Sequence, residues 1–238
     1  MKIFRSFRIP KIFLNSVIAI GNFDGVHIGH QKVIKEAIKI SKKKNKVGVL
    51  TFEPHPKCFF RKEFFFFRLS PFRVKYLLLK EMGIDFMINI KFNSDLVSIK
   101  PKDFIEDILV KKLNVSHVVT GFDFVFGNKQ SGNVKTMNFY SKKKGNFLFT
   151  EVSEFRIGES EISSSQIRKN LRDGKLAEVN NMLSRNWQII SRVISGKKQA
   201  RQLGFRTANM KINEYCNMSH GVYFVKVEVL NSNFKKTF

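Results

Sequence analysis

The chain has 238 residues, enough for one sizeable domain plus a fragment or for two small domains, and its 43% hydrophobic content is that of a globular protein rather than a disordered one. No apolar run approaches the ~18–20 residues of a spanning helix, and Cys58 and Cys216 are too few and too far apart for a disulfide framework, which points to reduced thiols in a cytoplasmic protein. The formal charge of +24 would suit a polyanion such as RNA, but the chain is also rich in Phe (26), and a joint excess of Lys and Phe is what an AT-rich coding sequence produces. That bias, with some steering of small phosphorylated substrates, is preferred here over a specific nucleic-acid partner.

Lys2, Arg5, Arg8 and Lys11 precede an apolar stretch, Ile12 to Ile20, in the outline of a secretory signal. Asn15 and Ser16 interrupt that stretch and no small-residue cleavage pattern follows, so it is read as mature protein. Val17 to Ile20 is a short run ending at Gly21 that suits a buried strand. Gly29 to about Lys43 carries Val33, Ile34, Ala37, Ile38 and Ile40 at helical spacing, and Val47 to Phe52 reads as the next strand. The run Phe64 to Phe67 is best explained by composition, and no site is assigned there.

Ser70 and Pro71 form a helix start that Gly83 ends. A strand at Phe86 to Ile90, a helix at Phe104 to Leu113 and a strand at Val118 to Thr120 follow, then a helix near Val134 to Lys143 and a strand near Phe147 to Val152. The lysine runs Lys42 to Lys44 and Lys142 to Lys144 fall at expected helix ends, as solvated charge complementing the dipole. Ser163 to Leu183 is helical with a break at Gly174. Beyond Trp187 the pattern turns strand-like, at Ile189, Ile190 and Val193 and again at Val222 to Val229.

Short apolar strands alternating with helices predict an α/β fold, a parallel sheet covered on both faces, with ligands beyond the carboxyl ends of its strands. The strongest segment stands at such a place: Gly21-Asn22-Phe23-Asp24-Gly25-Val26-His27-Ile28-Gly29-His30 joins the first predicted strand to a helix. Free backbone N–H groups and the helix dipole favour anions there, and Gly21, Gly25 and Gly29 permit close approach of backbone to phosphate. His27 and His30, three apart, face the same side once helical and can donate to α-phosphate oxygens and a departing pyrophosphate. A phosphate nucleophile is already anionic, so such a transfer needs positioning and charge stabilisation more than proton chemistry. Zinc is disfavoured because no further His or Cys completes a tetrahedral set, and no dedicated metal site is expected in the first domain.

The string His27-Ile28-Gly29-His30 resembles the signature of nucleotidyltransferases and class I aminoacyl-tRNA synthetases, but no synthetase-type lysine-serine motif accompanies it. Ile162-Ser163-Ser164-Ser165-Gln166-Ile167-Arg168 is similar to the second signature of the small nucleotidyltransferases, with serines at a helix start and Arg168 as a fixed cation against transition-state charge. Thr51-Phe52-Glu53-Pro54-His55-Pro56 and Gly121-Phe122-Asp123-Phe124-Val125-Phe126-Gly127 follow the second and fourth predicted strands. Together the four segments resemble the bacterial bifunctional riboflavin kinase/FMN adenylyltransferase family.

The resemblance implies a Rossmann-like nucleotidyltransferase domain over residues 1–185 that transfers AMP from ATP to FMN, with magnesium on the phosphates. It implies catalysis by His27, His30 and Arg168, and a nucleotide site at Gly21, Phe23, Asp24, Gly25, Gly29, Asp123, Ser163, Ser164 and Ser165. Phe52, His55, Pro56, Phe124 and Phe126 are expected on the flavin and nucleotide side, although alternation alone leaves core packing open for the last two. Rival readings are transfer to another phosphorylated acceptor, a basic nucleic-acid binder and an inactive remnant.

Residues 186–238 are expected to form an incomplete small β-barrel module. Arg201 to Asn209 resembles the family's kinase motif, with Thr207 and Asn209 at the positions that reach phosphate and magnesium, and Gly221-Val222-Tyr223 resembles the strand after it. Arg206 stands where the motif has proline and Ala200 where it has glycine, and the sequence ends at Phe238 before the remaining strands and the catalytic carboxylate. Riboflavin phosphorylation is therefore expected to be lost or very weak.

Overall fold

A computed structural model describes residues 1–42, 44–62, 67–157, 160–196, 204 and 207–230. Three sequence features lie wholly or partly outside the described residues: Lys43 of the first lysine run, Phe64 to Phe66, and most of the kinase-like motif from Ala200 to Arg206.

The chain opens with β1 (Lys2–Phe4), a 3-10 turn, β2 (Val17–Ile20), α1 (Ile28–Ser41), β3 (Val47–Glu53), α2 (Pro56–Arg61), α3 (Phe72–Glu81) and β4 (Phe86–Lys91). It continues through α4 (Ser94–Ser98) and α5 (Pro101–Asp103), which runs on as a π-helix over Phe104–Lys112, to β5 (His117–Gly121). The pair β6 (Val125–Phe126) and β7 (Gly132–Asn133) precedes α6 (Val134–Lys144) and β8 (Leu148–Val152). A small hairpin of β9 (Arg156–Ile157) and β10 (Ser160–Glu161) leads to α7 (Ser164–Arg172) and α8 (Leu176–Leu183), and the tail contributes β11 (Val193–Ile194) and β12 (Asn209–Met210).

Six strands form one parallel sheet in the order β1-β4-β3-β2-β5-β8. The apolar runs read from the sequence supply its centre: Val17 to Ile20, Val47 to Leu50, Phe86 to Ile90 and Val118 to Thr120 are buried on both faces. One face packs on Ile105, Ile108 and Leu109 of the π-helix and Met137 of α6. The other packs on Val33, Ile34 and Ala37 of α1 and Val74, Leu78 and Leu79 of α3. Helices α7 and α8 close a third cluster around Leu69, Ile167 and Leu183.

The chain walks from β2 to β3 and β4 on one side, then returns to place β5 and β8 on the other, so the direction of strand order reverses at β2. Such a switch opens a crevice beyond the carboxyl ends of the strands.

One strand escaped the sequence reading, and one reading needs correction. β1 is an edge strand of the sheet, paired from Lys2 to Phe4 with Phe86 to Ile88, and its charged flanks hid it in the sequence. Residues 222–229 pair with no strand among the described residues, and Val222 and Phe224 are fully exposed: alternation marks two faces but forms no ladder without a neighbouring strand. The tail's described sheet is the two-residue pair β11–β12.

Candidate active site

The loops after β2, β3 and β5 and the start of α7 converge on one cavity of about 740 Å³, the size of a small-molecule site. Every first-domain residue singled out above lines it except Gly25. One end is polar, with Asp24, His27, His30, Ser163, Ser164 and Arg168; the other is aromatic, with Phe52, Phe60, Phe92, Phe122, Phe124 and Phe126. The Phe124 and Phe126 rings stack at 5.3 Å; Phe126 is buried in the core, and both residues border the cavity.

The turn between β2 and α1 is conformationally costly. Phe23 and Val26 hold positive φ angles of 49° and 43°, which for a β-branched residue is strained backbone, and Gly25 sits at 85° with its Cα against Leu69. Backbone hydrogen-bond accounting explains how the turn is held. The Asn22 carbonyl accepts from Lys75 Nζ (3.2 Å) and Thr51 Oγ1 (3.3 Å), and the Phe23 carbonyl from the Val26 N–H (3.3 Å). The Asp24 carbonyl accepts from Ser164 Oγ (2.9 Å), the Gly25 carbonyl from Arg185, and the Val26 carbonyl from Arg185 (3.1 Å) and Gln31 (3.0 Å).

All five carbonyls from Asn22 to Val26 are thus tied back into the protein. The N–H groups of Asn22, Phe23 and Asp24, and those of His27, Ile28 and Gly29 opening α1, meet no acceptor among the described residues. Free N–H groups in a turn leading into a helix dipole form an anion cradle.

His27 caps α1, its Nδ1 accepting the His30 N–H at 3.4 Å, and the two rings stack at 3.6 Å between centroids. A side chain at Gly29 would stand 3.2 Å from the His27 ring. Among the described residues, His30 Nδ1 and Asn22 Oδ1 are sealed from solvent and have no hydrogen-bond partner, and both residues border the cavity, where a ligand can satisfy them.

Burial, foremost, lowers the His27 and His55 pKa values to about 4 and pushes His30 well below its ordinary value. Neutral imidazoles therefore line the site, each with one N–H to donate. These folded-state values lie below the unfolded ~6.5, so stability is fully present above pH 6.5 and is lost as pH falls toward 4, because the unfolded chain takes up the protons first. The expected loss is about 2–3 kcal/mol for each of His27 and His55 across that window, with His30 acting in the same direction. Urea unfolding at pH 7, 5.5 and 4.5 checks it; a flat unfolding free energy over that range contradicts it.

Asp24 and Arg168 form a buried ion pair. Arg168 Nε also donates to the Phe67 carbonyl (2.9 Å), and its guanidinium lies 3.9 Å over the Phe67 ring. Asp24 accepts from the N–H groups of Leu69 (3.1 Å) and Ser70 (3.0 Å). Burial alone would raise the Asp24 carboxyl; Arg168 first, with His55, the Ser70 amide and Arg68, brings it below the usual range. Gly25, off the cavity wall, donates to Ser70 Oγ at 2.7 Å and so ties the turn to the same segment.

Ser163 caps α7 by accepting the Gln166 N–H (3.2 Å), and Ser165 Oγ lies 3.4 Å from Lys57 Nζ. His55 caps α2 by accepting the Lys57 N–H (3.1 Å), with Pro56 at the first helical position and the Phe67 ring 5.0 Å away. Asp123 is exposed at the mouth. Sequence reasoning missed Lys75, Thr51 and Arg185 as supports of the turn, because their contacts with it span 29 to 160 residues. Thr207 and Asn209 lie exposed in the tail, and Asn209 packs on Gly196.

The sequence model of the FAD synthetase family matches residues 9–166, and that of the riboflavin kinase family matches residues 183–237. A bifunctional riboflavin kinase/FMN adenylyltransferase from Buchnera aphidicola subsp. Schizaphis graminum is 38% identical over 230 residues, covering 95% of this chain and 73% of its own. The chain belongs to the bifunctional riboflavin kinase/FMN adenylyltransferase family. Members from Listeria monocytogenes (38% identical, 91% of this chain and 69% of theirs) and Bacillus subtilis (37%, 94% and 73%) agree. A solved structure from Streptococcus pneumoniae, described as a macrolide-efflux protein, superposes with a TM-score of 0.79 at 26% identity over 94% of this chain and 73% of its own. Among the described residues no helix is long and apolar enough to cross a membrane.

Proposed function

We propose that this chain makes FAD by transferring AMP from ATP to FMN, and that the β2–α1 turn and the His27/His30 pair are where the α-phosphorus is held. The observation that carries this reading is the turn itself, with five carbonyls tied backward and its N–H groups open to a cavity that is polar at one end and aromatic at the other. A triphosphate suits the N–H cradle and the α1 dipole, and an isoalloxazine ring suits the phenylalanine end. Family membership selects FMN over other phosphorylated acceptors.

In the reaction an oxygen of the FMN phosphate attacks the α-phosphorus of ATP. A new P–O bond forms, the bond to the β-phosphate bridging oxygen breaks, and pyrophosphate leaves with its electron pair. No base is required, since the nucleophile is already anionic. The chain's task is alignment and donation to the charge that shifts onto the α-phosphate and the leaving group. His27 and His30 donate from the face they share, and the α7 start adds the N–H groups behind Ser163, with Ser165 at the rim. Arg168, held by Asp24 and Phe67, brings its positive charge to the wall from a fixed position.

Magnesium would enter on the triphosphate, keeping waters and phosphate oxygens as most of its ligands. Asp123, whose carboxylate takes no hydrogen bond from a described residue, is a side chain at the mouth able to meet its hydration shell. We place the protein in the cytoplasm with its soluble substrates.

A coupled assay separates the two family activities. Purified protein with ATP, magnesium and FMN is expected to release pyrophosphate and form FAD. With riboflavin it is expected to form little FMN, because Thr207 and Asn209 are both exposed and only Asn209 lies in the two-residue strand pair. Absence of FAD from FMN overturns the main reading, and brisk riboflavin turnover overturns the second.

A further inference from the structure

Lys75 is the buried charge that this reaction leaves without a task. It sits on α3 with 1% of its surface exposed, among Val74, Leu78 and Leu79, where an apolar side chain would be the less costly occupant. Its ammonium reaches the Asn22 carbonyl and Thr51 Oγ1, both at 3.2 Å. The nearest carboxylate oxygen, Glu53 Oε2, is 3.7 Å away, and Glu53 is engaged by Arg68 through its other oxygen. The ammonium is therefore directed at the turn more than at a counter-ion.

The geometry has a consequence for the cradle. Neither Lys75 nor Thr51 borders the cavity, whereas Asn22 and Phe23 do, so the Asn22 carbonyl points away from it. A trans peptide sets its N–H opposite its C=O, which turns the Phe23 N–H toward the cavity. Phe23 holds φ = 49°, a conformation that needs external support. A cation on the carbonyl also polarises the peptide and strengthens the N–H as a donor.

We propose that Lys75 is a positioning residue for the phosphates: its buried ammonium pins the Asn22 carbonyl from behind, aims the Phe23 N–H at the substrate and lays a fixed positive charge beneath it. The proposal rests on the adenylyl-transfer reading of the same site.

Titration of this group gives a signature that a packing role would lack. Burial first, then Arg68, brings the Lys75 pKa down to about 7, against a raising contribution from Asp24. The other ionisable groups facing it are Glu53 on β3, His30 on α1 and His55 at the start of α2. A bound polyphosphate favours the charged form, so above pH 7 binding must draw a proton from solution. The histidines, neutral until far lower pH, do not contribute there.

The test compares wild type, Lys75→Met and Thr51→Val, each checked for folding. Steady-state kinetics from pH 6 to 9 are combined with titration calorimetry of magnesium-ATP at pH 8 in buffers of different ionisation enthalpy. Expected results are proton uptake by wild type that K75M lacks, and a kcat/KM for ATP about 10- to 100-fold lower in K75M, with T51V between. The alkaline fall of kcat/KM above about pH 7 should vanish in K75M. A folded K75M with wild-type kcat/KM and pH profile overturns the proposal. So does the lack of proton uptake by wild type, which decides the matter if K75M does not fold. Wild type that makes no FAD instead overturns the reading on which the proposal stands.

Discussion

Replacing His27 or His30 with alanine is expected to lower kcat/KM for FAD formation by about 10²–10³-fold, the usual effect of removing a donor to transition-state charge. The two substitutions differ in stability. His27 is also the cap of α1, so H27A loses the acceptor for the His30 N–H and about 1 kcal/mol with it. Asparagine at position 27 can still cap the helix but cannot reach as an imidazole does. H27N should therefore fold like wild type and be nearly as inactive as H27A. H30A removes a ring whose Nδ1 has no hydrogen-bond partner among the described residues, so it should cost little stability and much activity. Recovery of activity in H27N would mean that His27 acts only as a cap.

The second large effect is expected at Asp24→Asn. The carboxylate is 1% exposed and balances Arg168 while accepting the Leu69 and Ser70 N–H groups. Its loss strands a buried guanidinium, which costs about 3–5 kcal/mol. For a chain of this length that lowers Tm on the order of 10 °C. Adding Arg168→Met to D24N removes the stranded charge and should restore much of the stability without restoring activity. Thermal melts of the two single variants and the double variant form a cycle. Additive effects would show that the pair is not a coupled unit.

Much of this site could be read along the chain because its parts are local. A β-branched run, a glycine-rich turn and two histidines three apart specify a strand, a cradle and a shared face with no long-range information. The serines before Gln166 announced a helix start for the same reason. What escaped was whatever depends on register between distant elements. Lys75 reads as one lysine in an amphipathic helix; only the packing of α3 across β3 brings its ammonium beneath Asn22. Arg168 was expected as a fixed cation, but what fixes it was not legible: the carboxylate holding it comes from 144 residues away. Val222 to Val229 shows the opposite error, where alternation was read as a strand without regard to a neighbour to pair with.

Arg185 falls within the riboflavin kinase match, two residues after α8 ends, yet its guanidinium grips Gly25 and Val26 in the FAD synthetase match. A fragment ending at Ser184 would retain all four signature stretches, leave the Gly25 carbonyl unclasped and leave the Val26 carbonyl to Gln31 alone. Anyone excising the catalytic half would find the scissors passing through the substrate cradle, at a point 160 residues downstream of the glycine it secures.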